Sequence, residues 1–299
     1  MKAQTVLITG ASSGIGLETS RQLAALGAHV IMVCRDPERG RVARESVAQS
    51  ASGLMPDLLY ADFASQASIR RLADEIRSRY SRIDVLINNA GAIFDRRQLT
   101  VDGIERTFAV NHLAPFLLTR LLLDLVGAAE AGRVLTVSSE IHSRSLDFDN
   151  LQGEKRYNFL DAYYRSKLEN ILFTYELARR AENTRVTVNS LSPGPASTRF
   201  GDNMHGLPRL FPLVMKRIPF LFVSPARAAR TSVFLASAPE VARVSGRFFM
   251  NSREVHTKPI SYDIAVARRL WEISERLTEQ HSYEVMAIDR STAMERHST

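Results

Sequence analysis

The sequence predicts an α/β protein built on a single doubly wound parallel sheet (a Rossmann fold), and three observations lead to this fold class. Apolar runs of strand length alternate with helical patterns along most of the chain. A glycine-rich turn at residues 10–16 follows the first strand and opens the first helix. Polar residues then recur at the ends of later strands, where open α/β sheets bind their ligands. Right-handed crossovers between such strands place helices on both faces of one sheet.

The individual elements follow from this alternation, taken in chain order. The predicted strands are Thr5–Thr9, Val30–Cys34, Leu54–Tyr60, Val85–Asn88, Val134–Ser138, Val186–Leu191 and Arg247–Met250. The predicted helices lie in the gaps, at about Gly14–Leu26, Pro37–Gln49, Ser65–Tyr80, Val101–Val126, Asp161–Ala181 and Pro225–Ala236. We find no domain boundary and no internal repeat, so residues 1–280 are predicted to form one domain.

Two segments depart from the α/β rhythm. Phe200–Val223 is rich in Phe and Leu, which makes it too apolar for a solvated loop, and its prolines prevent one long helix. It is compatible with a helical excursion packed on the core or with a mobile lid over a substrate. A last helical pattern runs over Tyr262–Leu277 as a C-terminal extension. Residues 281–299 lose periodicity and are predicted to form a disordered tail.

Composition narrows the class of protein. Lys and Arg outnumber Asp and Glu by 39 to 32, a net charge of +7 that favours anionic partners such as a phosphorylated cofactor. The excess is dispersed, so we set nucleic acid aside. Cys34 is the one cysteine, which excludes an intrachain disulfide and a cysteine metal cluster; no metal is expected.

No secretory signal is recognised, and the leucines after Arg120 are interrupted by Asp124. A cytoplasmic protein is predicted.

Tyr163 and Lys167 lie four residues apart, a spacing that puts two side chains on one face of a helix. An ammonium group beside a phenol stabilises the phenolate and lowers a pKa that starts near 10. A tyrosine tuned in this way exchanges a proton with an alcohol or carbonyl oxygen near neutral pH. Taken alone, the pair is better explained as a solvated lysine beside a half-buried tyrosine.

The glycine-rich turn predicts a dinucleotide site. Gly10, Gly14 and Gly16 permit a tight turn and let a pyrophosphate approach backbone N–H groups at a helix N-terminus. Ser12 and Ser13 add two hydroxyl donors, and Ile15 completes the loop.

After the glycine turn, the chain carries in order Asn88-Asn89-Ala90-Gly91, Asn111, Val137-Ser138-Ser139, and the Tyr163 and Lys167 pair. This series of motifs resembles the short-chain dehydrogenase/reductase family. The resemblance covers about Thr5 to Leu277, nearly the whole chain. Residues 148–157, Ser166–Phe173 and Ala267–Trp271 are similar to the retinol dehydrogenase and WW-domain oxidoreductase branch, although the membrane anchor of that branch is not recognised here.

This resemblance implies four catalytic residues. Tyr163 is expected to act as general acid in reduction and general base in oxidation. Lys167 is expected to lower its pKa and to bind the nicotinamide ribose. Ser139 is expected to orient the substrate oxygen, with Ser138 as the alternative, and Asn111 to hold a water that relays protons to Lys167.

Two neighbouring residues are set apart from this group. Tyr164 is the rival phenol, but it belongs to no family pattern. His112 has no motif behind it and is interpreted as structural.

The resemblance also implies how the cofactor is chosen. Neutral Cys34 stands where NAD-preferring members of the family carry an aspartate, and Arg35 follows at once, which favours the 2′-phosphate of NADP over NAD. Asp36 leaves this open, because it either pairs with Arg35 or caps the helix that begins at Pro37.

Further cofactor residues are expected at three places. Asp62 resembles the aspartate that contacts adenine, although it is nearly as well explained as a helix cap. Asn89, Ala90 and Gly91 are expected to line the adenosine ribose, and Pro193, Gly194 and Thr198 to lie along the nicotinamide.

The sequence therefore predicts an NADP-dependent oxidoreductase, with NAD as second choice, acting on a carbonyl or alcohol carbon of a lipophilic substrate such as a retinoid, a steroid-like ketone or a long-chain aldehyde. The alternative is a catalytically silent NADP-binding sensor or scaffold.

Contact with a membrane surface is expected to be weak. The apolar stretch Leu117–Leu125 is compatible with a homo-oligomer and equally with a monomer.

Overall fold

The computed structural model describes residues 1–194 and 223–295, with side chains through Glu279. The strands in these residues are β1 (Thr5–Thr9), β2 (His29–Cys34), β3 (Asp57–Tyr60), β4 (Val85–Asn88), β5 (Arg133–Val137), β6 (Thr187–Ser192), β7 (Arg247–Met250) and β8 (Arg253–Glu254). The part of the chain that is described forms one sheet in the order β3-β2-β1-β4-β5-β6-β7-β8. Strands β1 to β7 pair in parallel, and β8 adds to β7 in antiparallel.

Helices cover both faces of this sheet, which confirms the doubly wound fold predicted from the sequence. They are α1 (Gly14–Ala25), α2 (Pro37–Ala48), α3 (Gln66–Arg79), α4 (Arg106–Gly127), α5 (Phe159–Arg180), α6 (Pro225–Ala228), α7 (Arg230–Ser237) and α8 (Ile264–Glu295). Helix α4 contains a π-helical turn at Ala109–Leu113.

Two hydrophobic layers form the core, one on each face of the sheet. Leu7 and Ile31 pack with the layer of α3, α4 and α5, whereas Val6 and Ile8 pack with the layer of α1, α2 and α7. Because a parallel sheet is covered on both sides, its strands read as continuous apolar runs instead of alternating ones. This is why the sequence predicted β1 and β4 with their observed bounds.

The strand order reverses between β1 and β4, the point at which doubly wound sheets form a crevice for ligands. The glycine turn follows β1 here, and Asn89 follows β4. The polar residues that were predicted at strand ends therefore meet at one edge of the sheet.

Two predicted elements begin several residues later than expected. Strand β3 begins at Asp57 and not at Leu54, because residues 54 and 55 lie exposed outside the sheet. Helix α4 begins at Arg106 and not at Val101, because a turn at residues 100–103 precedes it and Gly103 adopts φ +70°. The Glu105 carboxylate then caps the helix by accepting hydrogen bonds from the N–H groups of Thr107 and Phe108.

Helix α8 packs across α4 and α5 and continues to Glu295, beyond the end predicted at Leu277. Trp271 stacks on Phe173, meets Phe116 edge to face, and lies 4.2 Å from the Arg180 guanidinium. Ser274 hydrogen-bonds to His112 of α4 at 2.9 Å. The C-terminal extension is thus an integral part of the core. The disordered tail proposed for residues 281–299 stays a prediction.

Candidate active site

The glycine turn is shaped by close contact between backbones. Gly10 adopts φ +67°, and a Cβ atom there would stand 2.9 Å from Cα of Ala90. A Cβ on Gly16 would stand 2.3 Å from the Gly10 carbonyl oxygen, so a larger residue requires the loop to move. Asn89 fastens the turn from the other side, because its amide donates to the Thr9 carbonyl at 2.7 Å.

A cleft of about 240 Å³ opens beside this turn at the sheet's switch point. It is lined by every cofactor residue that the sequence predicted in the first half of the chain, namely Gly10, Ser12, Ser13, Gly14, Ile15, Gly16, Arg35, Asp62, Asn89, Ala90 and Gly91. The cleft leads to the residues predicted to be catalytic, because a Cβ on Gly91 would lie 3.5 Å from Oδ1 of Asn111 and 3.6 Å from Nζ of Lys167. Residues from distant parts of the sequence therefore form one continuous site.

The far end of the cleft carries two exposed guanidinium groups, Arg35 and Arg39. Asp36 does not pair with Arg35 in the described structure. Its carboxylate caps α2 by accepting a hydrogen bond from the Arg39 N–H at 2.9 Å. The alternative left open by the sequence is thus resolved in favour of the cap. Arg39 is a candidate residue that the motif reasoning missed, although it lies one helical turn after Arg35.

Tyr163 and Lys167 lie on the first half of α5, whose N-terminus is capped by Asn158. The Lys167 ammonium lies 5.4 Å from the centre of the Tyr163 ring and donates a hydrogen bond to the Val137 carbonyl at 3.2 Å. Lys167 is only 4% exposed. The predicted pair therefore faces the end of β5.

Burial sets the protonation of both groups. Loss of hydration lowers the pKa of Lys167 to about 8. Loss of hydration is also the largest cause that raises the pKa of Tyr163 above its ordinary value, with smaller contributions from Glu140 and Tyr164, while a hydrogen bond with Ser139 opposes it. The direction is opposite to the one expected from the lysine alone, because loss of hydration is the largest of these effects.

The two serines after β5 have different tasks. The Ser138 hydroxyl donates to the Lys167 carbonyl at 2.6 Å, which commits it to holding α5. The Ser139 hydroxyl hydrogen-bonds to Tyr163 and accepts from the Ile141 N–H at 3.1 Å. Of the two, Ser139 is therefore the one placed beside the Tyr163 phenol.

Asn111 lies in the π-helical turn of α4, an irregularity that is frequent at functional sites. Its side chain accepts from the Ala92 N–H and donates to the Ala92 carbonyl, both at 2.8 Å, and donates to Ser166 at 3.0 Å. Asn111 thereby joins the loop after β4 to the catalytic helix. The neighbouring His112 is buried, and burial lowers its pKa to about 3, in agreement with a structural role.

The segment predicted to contact the nicotinamide lies only partly within the described residues. Pro193 and Gly194 follow β6 at this edge of the sheet, and Gly194 adopts φ +75°. Thr198 and the predicted lid up to residue 222 lie outside the described residues. Glu140, whose carboxylate accepts a hydrogen bond from the Ser192 hydroxyl, is a second residue that sequence reasoning missed.

Comparison with known proteins agrees with this geometry. A family model described as short chain dehydrogenase matches residues 4–205. Retinol dehydrogenase 14 of Homo sapiens is 44% identical over 290 residues, which cover 92% of this chain and 86% of that protein. A protein of Streptomyces sp. (strain C5) described as a daunorubicin C-13 ketoreductase is 40% identical, with 92% of each chain covered.

Solved structures share the fold. An uncharacterized protein from Mycobacterium paratuberculosis superposes with a TM-score of 0.74 and 31% identity over 93% of this chain and 94% of its own. A short chain dehydrogenase from Shigella flexneri 2a, complexed with NADP, superposes with a TM-score of 0.68 over 85% of this chain and 98% of its own. At 24% identity, the second likeness concerns the fold.

The prediction of a cytoplasmic protein is wrong. The stretch Arg106–Gly127 is long and apolar enough to cross a membrane by length and composition, and the chain is similar to retinol dehydrogenases 11–14. The sequence reasoning stopped at Asp124 and overlooked the apolar residues before it. In the structure, 67% of the apolar window in this stretch is buried within the protein, as in a core helix.

The glycine turn, the Tyr163 and Lys167 pair, the sheet topology and the comparisons indicate the same family. The chain belongs to the short chain dehydrogenase family, whose retinol dehydrogenase-like branch consists of oxidoreductases that act on CH–OH and C=O groups.

Proposed function

We propose that this protein transfers a hydride between NADP(H) and a carbonyl or alcohol carbon of a lipophilic substrate. The observation that carries the proposal is the meeting of Tyr163, Ser139 and Lys167 at the carboxyl edge of the sheet, at the inner end of the dinucleotide cleft. When bound, the nicotinamide supplies or accepts the hydride. The protein has to orient the substrate oxygen and move one proton.

The chain's own residues divide this work. Ser139 donates a hydrogen bond that fixes the substrate oxygen beside the Tyr163 hydroxyl. Tyr163 gives its proton to that oxygen in reduction and removes it in oxidation. Lys167, held by the Val137 carbonyl, places a positive charge near the phenol and offers N–H donors to the cofactor ribose. Asn111 holds the loop after β4 against α5, so the cofactor cleft and the Tyr163 hydroxyl keep their relative positions.

NADP is preferred over NAD in this proposal because the cleft ends in cations. Asp36, the acidic residue that follows Arg35 directly, is occupied as the cap of α2. Arg35 and Arg39 are left to receive a 2′-phosphate, which arginine binds through paired charged hydrogen bonds.

Replacing Arg35 by Ala, and separately Arg39 by Ala, tests the cofactor assignment. A charged hydrogen bond contributes roughly 1.5–3 kcal/mol, so each change is expected to weaken NADPH binding roughly 10- to 100-fold and NADH binding far less. Dissociation constants measured by titration of cofactor fluorescence give the comparison. Arg41→Ala is the matched control, because Arg41 lies on the same helix but pairs with Glu38 and does not line the cleft. Equal losses for both cofactors contradict the assignment.

The lipophilic substrate class is supported by the relatives, which are named for retinol and for a daunorubicin ketone. It is also supported by the apolar composition of residues 200–223. We expect catalytic efficiency to rise along a chain-length series of aldehydes and ketones, by roughly 25 cal/mol for each Å² of apolar surface buried in the transition state. Steady-state kinetics with NADPH measure this slope. Preferred turnover of sugars or hydroxy acids contradicts the proposal, and a bound cofactor with no turnover on any compound favours a silent NADP-binding protein.

A further inference from the structure

The loop that carries Ser139 is fastened to a segment more than a hundred residues later in the chain. His142 lies three residues after Ser139 and is 4% exposed. Its Nδ1 atom lies 3.1 Å from the Ser139 carbonyl oxygen, and its Nε2 atom lies 3.2 Å from the Lys258 backbone nitrogen. The Lys258 ammonium in turn donates to the His142 carbonyl. Two contacts therefore join this loop to the residues that precede α8, and the contact between His142 and Ser139 lies within the loop.

These contacts fix the tautomer of the ring. A carbonyl oxygen accepts, so Nδ1 must carry a proton and donate it to Ser139. A backbone N–H donates, so Nε2 must be unprotonated to accept from Lys258. The arrangement requires a neutral imidazole protonated at Nδ1. A doubly protonated ring would turn Nε2 into a donor facing the Lys258 N–H.

A second hydrogen bond joins the loop that carries Ser139 to helix α5. The Ser143 N–H donates to the Tyr164 carbonyl at 3.0 Å, which joins the same loop to the catalytic helix beside Tyr163. The loop is thus held on one side by α5 and on the other by the segment before α8. The distance between the Ser139 hydroxyl and the Tyr163 phenol depends on both attachments.

We propose that His142 is a positioning residue, which as a neutral ring holds the Ser139 backbone against the segment around Lys258 and so keeps the Ser139 hydroxyl on the substrate oxygen. This inference rests on the proposed role of Ser139 in catalysis. It gives the segment before α8 a role in the reaction, and Lys258 lies well beyond residue 205, where the match to the family model ends.

The surroundings of the ring favour its neutral form. Burial lowers the pKa of His142, and the charge of Lys258 lowers it further, while hydrogen bonding to the backbone of Ser139 and Glu140 opposes the shift. Phe248 of β7 lies on another side, with 6.4 Å between ring centres. Arg144 is the further charge near Lys258. Since protonation removes the acceptor of the Lys258 N–H, turnover should fall as the pH drops through the lowered pKa of the ring.

Three substitutions separate the two hydrogen bonds. His142→Asn places an amide N–H near the position of Nδ1 and keeps the bond to Ser139. His142→Gln places an amide oxygen near the position of Nε2 and keeps the bond from Lys258. His142→Leu removes both. We expect kcat to fall about tenfold in the Leu variant, less in the Gln variant and least in the Asn variant, because small displacements of a reacting group have large effects on rate.

The dissociation constant for NADPH should stay within about twofold in all three variants, because the dinucleotide cleft does not include His142. The acid limb of the kcat profile should move to lower pH in the Asn variant, which has no titrating ring. His256→Leu is the matched control, since His256 is exposed in the same segment, and it should behave like the wild type.

Ser139→Ala, measured in parallel, distinguishes the failure of this inference from that of the proposed function. Wild-type turnover in Ser139→Ala would overturn both. A slow Ser139→Ala together with wild-type turnover in the His142 variants would overturn only the positioning role. A loss of kcat that merely follows the loss of melting temperature, with no change in the acid limb, would also overturn it. If the Leu variant does not fold, the order of the Asn and Gln variants decides, and equal losses in these two contradict the proposal.

Discussion

At the scale of single residues, the carboxylate of Glu140 contributes to the raised pKa of the Tyr163 phenol. Glu140 follows Ser139 directly and accepts a hydrogen bond from the Ser192 hydroxyl at the end of β6. Its negative charge raises the pKa of Tyr163, in addition to the larger effect of burial. A raised pKa keeps the phenol protonated, which suits an acid that donates to a carbonyl oxygen.

Replacing Glu140 by Gln should lower the pKa of Tyr163, because a neutral amide no longer opposes the phenolate. In the oxidation direction, the phenolate is the active form, so activity rises with pH through this pKa, and the rise should move to lower pH in the variant. The pH dependence of kcat/KM for alcohol oxidation measures the shift. Glu154→Gln, a change at an exposed residue of the loop before α5, serves as the control. An unchanged profile in Glu140→Gln would show that its charge does not reach the phenol.

At the scale of elements, the catalytic helix α5 carries a buried acid that the mechanism does not use. The Glu169 carboxylate has no hydrogen-bond partner among the described residues, and its nearest cation is Nε of Arg165 at 3.8 Å. Burial raises its pKa to about 8, with Arg165 opposing the shift and Glu105 adding to it. A charge in this position opposes folding of the helix against its neighbours.

The Glu169→Gln variant should therefore be more stable than the wild type at alkaline pH. The folded pKa of about 8 lies above the ordinary value of 4.5, so the folded state binds more protons between these values and the free energy of unfolding falls as pH rises. The difference between variant and wild type should grow over this window and reach the order of a few kcal/mol near pH 8.5. Urea unfolding at several pH values measures it, with Glu182→Gln at an exposed site as the control. A difference that is the same at every pH contradicts the explanation.

The elements themselves were predictable to different degrees. Buried parallel strands such as β1, β4 and β7 were predicted with their observed bounds because apolar runs with turns on both sides leave little freedom. Strand β8 was missed, since two exposed residues carry no periodicity. The π-helical turn around Asn111 was also missed; there the side chain bonds to Ala92 and Ser166, contacts between distant residues that no local sequence pattern predicts.

At the scale of the whole molecule, the extension beyond β7 distinguishes this chain from a minimal sheet with its helices. Helix α8 lies across α4 and α5, and ion pairs between Arg120 and two of its glutamates add to the aromatic contacts of Trp271. The stretch Leu117–Leu125, considered from the sequence for assembly of a homo-oligomer, contributes residues to this core. The oligomeric state stays a prediction.

The candidate site shows what sequence can predict at this scale. Motifs at strand ends predicted Gly10 and Asn89 because topology alone brings such ends together. Contacts between residues far apart in the chain, such as His142 with Lys258 or Glu140 with Ser192, depend on three-dimensional packing. No spacing in the sequence predicts these contacts.

The central claim is that Tyr163 moves the proton while the nicotinamide cofactor moves the hydride. Its most direct test is NADPH oxidation by wild type and Tyr163→Phe on the same lipophilic aldehyde, with NADPH affinity titrated in parallel. We predict that the variant loses turnover by roughly 10²- to 10⁴-fold, the usual contribution of general acid catalysis, while NADPH binds almost as before because the ring remains. Tyr164→Phe should keep most of its activity. Near-normal turnover in Tyr163→Phe would contradict the mechanism.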